Sequence, residues 1–333
     1  MSSKLKIDAL GERGLERVLI TGANGFIGRA LCAHLGAQGV VVTAVTRDIT
    51  TLPGAARVQA VGDFTEVRDW AALIADNDAV VHLAALTHGG TRRASSARFR
   101  AINVDVSVRV AEAALACGIQ RFVYLSSIKV NGESSSRDKG GIHAYTGSDL
   151  PMPADDYGRS KLAAEQALRA LWPFAASALT ILRPPLVYGP GQKGNLVRLM
   201  GLVARGVPLP CGAIDNRRSL IYVENLVEAV VCALGVAVPG VRCYTVADVD
   251  VSTPQLVRAL ARGLGVQARL IGLPMYCLRR LTRWPLLGSS VRSLTDSLVV
   301  DASAIRAELG WRPAIGFDAA IAHTCAAWRE AQA

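Results

Sequence analysis

The sequence predicts an α/β fold, a doubly wound parallel sheet with a smaller, mostly C-terminal α/β unit. Three observations predict it. Short runs rich in Val, Ile and Leu alternate with longer helical patterns through the first half of the chain. Several of those runs are unbroken, as strands covered on both faces require. A glycine-spaced turn, TGANGFIG at 21–28, stands between the first strand and the first helix.

In order, strands are read at 17–21 (RVLIT), 40–45, 58–61, 79–83, 121–126 and 178–183, with helices between them at 26–37, 67–75, 97–117 and 157–171. Right-handed crossovers join such pieces into a doubly wound sheet. After Pro184 and Pro185 the rhythm loosens, and 189–225 is rich in Gly, Pro and Arg. A helix is read at 226–234, and Ser252-Thr253-Pro254 opens another that runs to 263. Arg279, Arg280, Arg283 and Arg292 lie among Leu and Trp at 275–293. A lid packed by its apolar side is favoured there over a membrane-touching surface. Closing helices are read at 302–309 and 317–330.

Composition narrows the class. Over 333 residues, 51% are apolar and 19% charged, enough for a large core and against disorder. No apolar run approaches the roughly 18 residues of a membrane span. Lys4 and Lys6 are not followed by an apolar signal core, so a cytoplasmic protein with no integral membrane segment is expected. The 7 cysteines (32, 117, 211, 232, 243, 277, 325) form no C-x-x-C pair, which leaves no disulfide framework and no metal site. The net charge of +10 is spread along the chain with no nucleic-acid-reading module, and a field that draws in small anions fits it better.

The glycines at 22, 25 and 28 have the spacing of a dinucleotide fingerprint in a Rossmann-type sheet. Gly22 permits the tight turn, Gly25 lets the backbone approach a pyrophosphate, and Gly28 lets helix and strand pack closely. An acidic residue about twenty positions on would hold the ribose of NAD. Arg47 stands there and favours NADP(H), while Asp48 keeps NAD(H) as the alternative. Asp63 either accepts from the adenine amino group or caps its own loop. The chain thus divides into an NAD(P)-binding domain at 1–184 and a mainly substrate-binding domain at 185–333, with some chain returning to the first around 218–246.

The fifth strand ends in Ser126-Ser127, at the sheet edge where doubly wound folds bind ligands. Tyr157 and Lys161 follow at helical i, i+4 spacing, which puts them on one face. A neighbouring ammonium would lower the tyrosine pKa toward the working pH. Ser127 would donate to a substrate carbonyl while the phenol moves a proton at the same oxygen. A lone Y-x-x-x-K is most often an exposed helix face, but here a Ser-Ser strand end and a glycine fingerprint precede it.

Together these motifs resemble the extended short-chain dehydrogenase/reductases of the NAD-dependent epimerase/dehydratase family. TGANGFIG at 21–28, HLAA at 82–85, LSSIKVNG at 125–132, YGRSK at 157–161 and LRPPLVYGPG at 182–191 carry the resemblance. RRSLIYVENLVEA at 217–229 and ELGWRP at 308–313 extend it nearly over the whole chain. The resemblance implies a catalytic set of Ser127, Tyr157 and Lys161. It implies cofactor contacts from Gly22, Asn24, Gly25, Phe26, Ile27, Gly28, Leu83, Ala84, Ala85, Asn103, Ser126 and Pro184, in addition to Arg47 and Asp63. Thr87, Ser127, Asn195, Arg218 and Arg292 are implied on the substrate side, with the arginines gripping a UDP-sugar diphosphate. His82 and His88 fall near the cofactor rim, His82 as a satisfied structural histidine. A homodimer is a further implication.

The chain departs from the family pattern in three places. Asn131 replaces the usual tyrosine of V-Y-G, Arg47 replaces the usual acidic residue after the second strand, and Ile128-Lys129 follow Ser127 where dehydratases carry acidic residues. The last departure argues against 4,6-dehydration. The preferred expectation is an NAD(P)H-dependent reductase of the 4-keto group of a UDP-linked 6-deoxy-N-acetylhexosamine, for bacterial surface polysaccharide such as O-antigen. LRPPLVYGPG, GNLVRLM and NRRSLIYV resemble the branch making UDP-N-acetylquinovosamine-type sugars. The alternative is a UDP-glucose or UDP-N-acetylglucosamine 4-epimerase that keeps NAD bound. A non-catalytic NADP-binding sensor or scaffold ranks below both, because all three catalytic positions are filled. A steroid or flavonoid reductase would leave Asn195 and Arg218 without a diphosphate.

Overall fold

A computed structural model describes residues 15–87, 95–138, 141–173, 176–274, 276 and 294–332. Seven parallel strands form the main sheet: β1 (Arg17–Thr21), β2 (Val41–Thr46), β3 (Ala55–Ala60), β4 (Ala79–His82), β5 (Arg121–Leu125), β6 (Ala178–Arg183) and, from far down the chain, β9 (Gly240–Thr245). Their order across the sheet is β9-β6-β5-β4-β1-β2-β3. Strand order reverses between β1 and β4, where Thr21 lies in register with His82. A crevice at the carboxyl ends of these two strands is the ligand site such a topology provides.

The strands are covered on both faces. Val18 and Ile20 of β1 join one buried cluster, while Leu19 between them joins another. Helices α1 (Phe26–Ala37) and α7 (Val223–Leu234) bury Leu31, Leu35, Leu226 and Val230 against the first face. On the second face lie α2 (Trp70–Ile74), α4 (Val106–Ala116) and α5 (Asp156–Leu171), with Trp70, Val110 and Leu168 buried. This two-sided burial is why the strands read as continuous apolar runs.

A third cluster organises the C-terminal part. There β7 (Leu186–Tyr188) pairs in parallel with β8 (Arg218–Tyr222), and β8 pairs antiparallel with β10 (Val249–Val251). Around this small sheet pack α6 (Asn195–Ala204), α8 (Thr253–Leu264) and α10 (Phe317–Glu330), while α9 (Ser303–Leu309) places Ile305 in the first cluster. Ser252 caps α8 in a reciprocal capping box with Gln255, and Pro254 sits in the first turn, as the sequence predicts.

The doubly wound parallel sheet is the one expected, and 17–21, 26–37, 178–183 and 317–330 fall where they are read. Three differences have physical causes. Helix 97–117 is interrupted: α3 (Ser96–Arg100) passes through a π turn at Ala101–Asp105 before α4 begins, and the turn carries the buried Asn103. Helix 67–75 shortens to α2 because the Asp69 carboxylate caps it, accepting the Ala72 amide at 2.9 Å. The loosened stretch hides α6 and β8, since α6 starts only after Gly194 adopts φ 96°.

Among the described residues no helix is long and apolar enough to cross a membrane, and no cluster of side chains could hold a metal ion. The described cysteines are all free thiols. Segment 275–293, apart from Tyr276, lies outside the described residues, as do His88 and Arg292.

Candidate active site

The glycine loop is built for close backbone contact. Gly22 has φ 68°, and a Cβ on it would lie 2.8 Å from the Ala84 nitrogen. A Cβ on Gly28 would fall 2.5 Å from the Gly22 carbonyl oxygen, so helix α1 could not approach the loop with any larger residue. Gly25 is the N-cap of α1 and offers no side-chain cap, which leaves the first-turn amides for an anion. Asn24 is half-buried, and Phe26 and Ile27 turn their side chains into the C-terminal cluster. These residues fit a dinucleotide pyrophosphate.

Beyond the loop, Thr21 organises the crevice floor. Its hydroxyl meets His82 Nδ1 at 2.7 Å and accepts the Ala84 amide at 3.3 Å, and its carbonyl accepts the Leu83 amide at 3.2 Å. His82 Nε2 reaches Ser107 Oγ at 2.9 Å, and burial pushes the ring down to about 3. His82 is the satisfied structural histidine expected. Asn103 clamps the same segment: it accepts the Leu86 amide at 2.7 Å, and its Nδ2 donates to the Leu86 carbonyl at 3.1 Å and to Ser160 Oγ at 2.9 Å. Ala85 is half-buried and Thr87 exposed at the end of this segment.

At the β2 end, Arg47 and Asp48 are both exposed. Asp63 caps its loop. Its carboxylate accepts the Thr65 amide at 2.9 Å and hydroxyl at 2.7 Å, and Arg98 at 2.5 Å; these bonds hold it down to about 2.

Ser127, Tyr157 and Lys161 converge where β5 meets α5. Ser127 follows the strand in extended backbone and accepts the Lys129 amide at 3.2 Å, capping a short 3₁₀ turn at Ile128–Val130. Its hydroxyl is hydrogen-bonded to Tyr157. Pro184 fixes the same turn by accepting the Ile128 amide at 2.9 Å. Lys161 is 2% exposed; its ammonium donates to the Leu125 carbonyl at 2.7 Å and lies 4.6 Å over the Tyr124 ring.

The electrostatics differ from the expectation that Lys161 lowers the tyrosine pKa. Burial pushes Tyr157 up to about 12, opposed by the Ser127 hydrogen bond, and the Asp155 charge adds to the rise. Burial also pushes Lys161 down to about 7, against the pull of Glu165. Burial decides the tyrosine, while the Lys161 ammonium is bonded to the Leu125 carbonyl of the strand.

Behind the triad is a polar network that sequence reading does not single out. Glu165 is buried and takes Ser126 Oγ at 2.5 Å, Arg183 Nε at 2.9 Å and Arg183 Nη2 at 2.5 Å. Arg183 also donates to Asn131 Oδ1 at 3.1 Å. Ser126, implied to line the nicotinamide, thus directs its hydroxyl inward to Glu165. The i, i+4 spacing of Lys161 and Glu165 was the available signal. Lys129, beside Ser127, donates to Glu133 at 3.0 Å and pairs closely with Asp155, the N-cap of α5.

On the C-terminal side, Asn195 stands exposed at the first position of α6. Arg218 opens β8 half-buried, and its Nη1 donates to the Asp296 carbonyl at 3.0 Å. Burial lowers its pKa, while Asp296 and Glu133 supply opposing negative charge.

Comparison with known proteins places this geometry. The model of the NAD-dependent epimerase/dehydratase family matches residues 18–246. A UDP-glucose 4-epimerase of Vibrio cholerae is 35% identical over 312 residues, 91% of this chain and 93% of the relative. A ceramide reductase of Caulobacter vibrioides is 32% identical over 261 residues, 77% of this chain and 73% of the relative. Among solved structures, MoeE5 in complex with UDP-glucose and NAD superposes with a TM-score of 0.75 at 26% identity, covering 95% of this chain and all of that one. The chain belongs to the NAD-dependent epimerase/dehydratase family and is an NAD-dependent enzyme of the nucleotide-sugar epimerase/dehydratase type. The preference for NADP(H) drawn from Arg47 gains no support from a structural neighbour that holds NAD.

Proposed function

We propose that the protein is a UDP-hexose 4-epimerase that works with NAD, with Tyr157 as its acid/base. The observation that carries the reading is the likeness to the Vibrio cholerae 4-epimerase across 91% of the chain, in a sequence that has Ser127, Tyr157 and Lys161 all in place. The alternative weighed from sequence thereby takes precedence over the 4-keto reductase.

In this reading the first domain, at 1–184, holds the cofactor and the chain from 185 mainly holds the sugar nucleotide. Bound NAD supplies the hydride acceptor and, as the oxidised cation, a charge that favours the Tyr157 phenolate. Ser127 holds the sugar O4 within reach of Tyr157 by hydrogen bond. Tyr157 takes the O4 proton as the alcohol becomes a ketone, and gives it back when the ketone is reduced on its other face. Lys161 fixes the strand end through the Leu125 carbonyl and is placed to hold the cofactor ribose. Arg218 holds the diphosphate, so that the hexose can turn while its anchor stays in place. The Thr21–His82–Ser107 chain and the Asn103 clamp hold the crevice walls rigid.

The exposed Arg47 at the end of β2 keeps a second reading, net reduction of a UDP-linked 4-keto sugar by NADPH. One experiment separates the two. Purified protein is assayed for bound nicotinamide nucleotide and incubated with UDP-glucose or UDP-N-acetylglucosamine without added reductant. The epimerase reading expects tightly bound NAD and conversion to the galacto epimer. No conversion, together with NADPH oxidation on addition of UDP-4-keto-6-deoxy-N-acetylglucosamine, would establish the reductase instead.

A further inference from the structure

We propose that Lys129 is a positioning residue for this reaction, pinning the turn that carries Ser127 to the first turn of the helix that carries Tyr157 and neutralising the carboxylate beside that phenol. The proposal rests on Tyr157 being the acid/base. Lys129 lies two residues after Ser127, and Asp155 lies two residues before Tyr157. The Lys129 ammonium pairs closely with Asp155 and bonds Glu133 at 3.0 Å.

The backbones meet at the same place. A Cβ on Gly158 would fall 2.6 Å from the Lys129 carbonyl oxygen, so the turn and the helix touch with no side chain between them. Asp155 uses its other oxygen to accept the Gly158 amide at 2.7 Å, capping α5. One carboxylate therefore holds the helix start and, through Lys129, the Ser127 turn. The Met152 amide adds a third tie, donating to the Val130 carbonyl at 3.0 Å.

The charges around Tyr157 leave Lys129 a defined task. Asp155 is the carboxylate whose charge disfavours the phenolate. Asp156 next to it is taken by Arg159 at 2.7 Å and Ser96 at 3.0 Å. Lys161 is directed to the Leu125 carbonyl, and α3 presents the Phe99 ring 6.4 Å from that of Tyr157. Lys129 is a cation bonded to Asp155. Its side chain is 32% exposed and that of Asp155 22%, so the pair is shielded enough to act on the phenol without being sealed from water.

The test compares the NAD-loaded wild type with K129M, K129R, D155N and the double variant K129M/D155N. Two readouts are followed against pH: kcat and kcat/KM for epimerisation, and the ring-carbon NMR resonance of Tyr157 in protein labelled on tyrosine, assigned with Y157F. K129M exposes the Asp155 charge, and its rising pH limb is expected to move up by about one unit, a roughly tenfold loss of kcat at neutral pH, with KM nearly unchanged. K129R is expected to restore the profile. D155N still caps the helix but lacks the charge, so its limb moves down, and the double variant returns close to wild type. A K129M limb coincident with wild type overturns the proposal, as does a double variant no better than K129M. If the wild type epimerises no UDP-hexose, the functional reading fails. The Tyr157 resonance then decides alone: a K129M titration displaced upward upholds the proposal and an unmoved one sinks it. Should K129M not fold, D155N decides through the downward shift, whose absence is equally fatal.

Discussion

Burial acts oppositely on two residues one helical turn apart. Tyr157 is pushed up to about 12 and Lys161 down to about 7, each toward its neutral form. For Lys161 this couples folding to pH. The unfolded chain keeps its lysine proton up to the ordinary lysine range, so above about 7 it binds more protons than the folded protein does. Stability therefore rises with pH through that window, and the penalty is present in full below it. Lys161→Met is expected to be more stable than wild type by roughly 1–3 kcal/mol in mildly acidic urea titrations, after the lost Leu125 hydrogen bond is deducted. The gain should shrink as pH rises toward the lysine range; a pH-independent gain would contradict the burial argument. Tyr157→Phe removes the proton carrier and little else. It is expected to lower kcat by about 10²–10⁴-fold while NAD binding, measured by calorimetry, is unchanged.

At the scale of the element, the start of α5 is where side-chain volume is least tolerated. Gly158→Ala sets a methyl 2.6 Å from the Lys129 carbonyl and must push the Ser127 turn away. A stability loss of about 1–3 kcal/mol is expected, with a fall in kcat at nearly constant KM. Two turns further along, Glu165→Ala strands the Arg183 guanidinium, 3% exposed, without its carboxylate. Its cost should be about 3–5 kcal/mol, read as a drop in the urea midpoint. Both positions also mark how far the sequence could be read. Strands and helices with one strong period were legible because each depends on neighbours within a few residues, and the Tyr157 and Lys161 pair showed in its i, i+4 spacing. Glu165 meets Arg183 across 18 positions, Asp63 meets Arg98 across 35, and Asn103 meets Leu86 across 17. Such partners exist only once strands are ordered, so the π turn around Asn103 and the inward direction of Ser126 left no local trace. The direction of the Lys161 ammonium was illegible for the same reason: its acceptor belongs to β5, not to its own helix.

For the molecule as a whole, the cofactor should behave as part of the fold. Ligand at about a hundred times its Kd stabilises the native state by about 2.7 kcal/mol. Thermal melts with NAD are expected to shift upward more than melts with equal NADP, and a larger NADP shift would return weight to Arg47. The glycine loop gives this coupling a route. Phe26 and Ile27 begin the helix whose N-terminus the glycine loop offers to a pyrophosphate, yet their side chains pack among Leu196, Tyr188 and their neighbours in the C-terminal cluster. In the proposed reading, whatever steadies the head of α1 would also steady the part that grips the sugar nucleotide, and the reverse would hold by the same factor. A 4-epimerase built this way would be a ratchet on its own oxidant, tightening on the dinucleotide when the sugar is aboard, the interval in which letting go would strand a half-finished ketone.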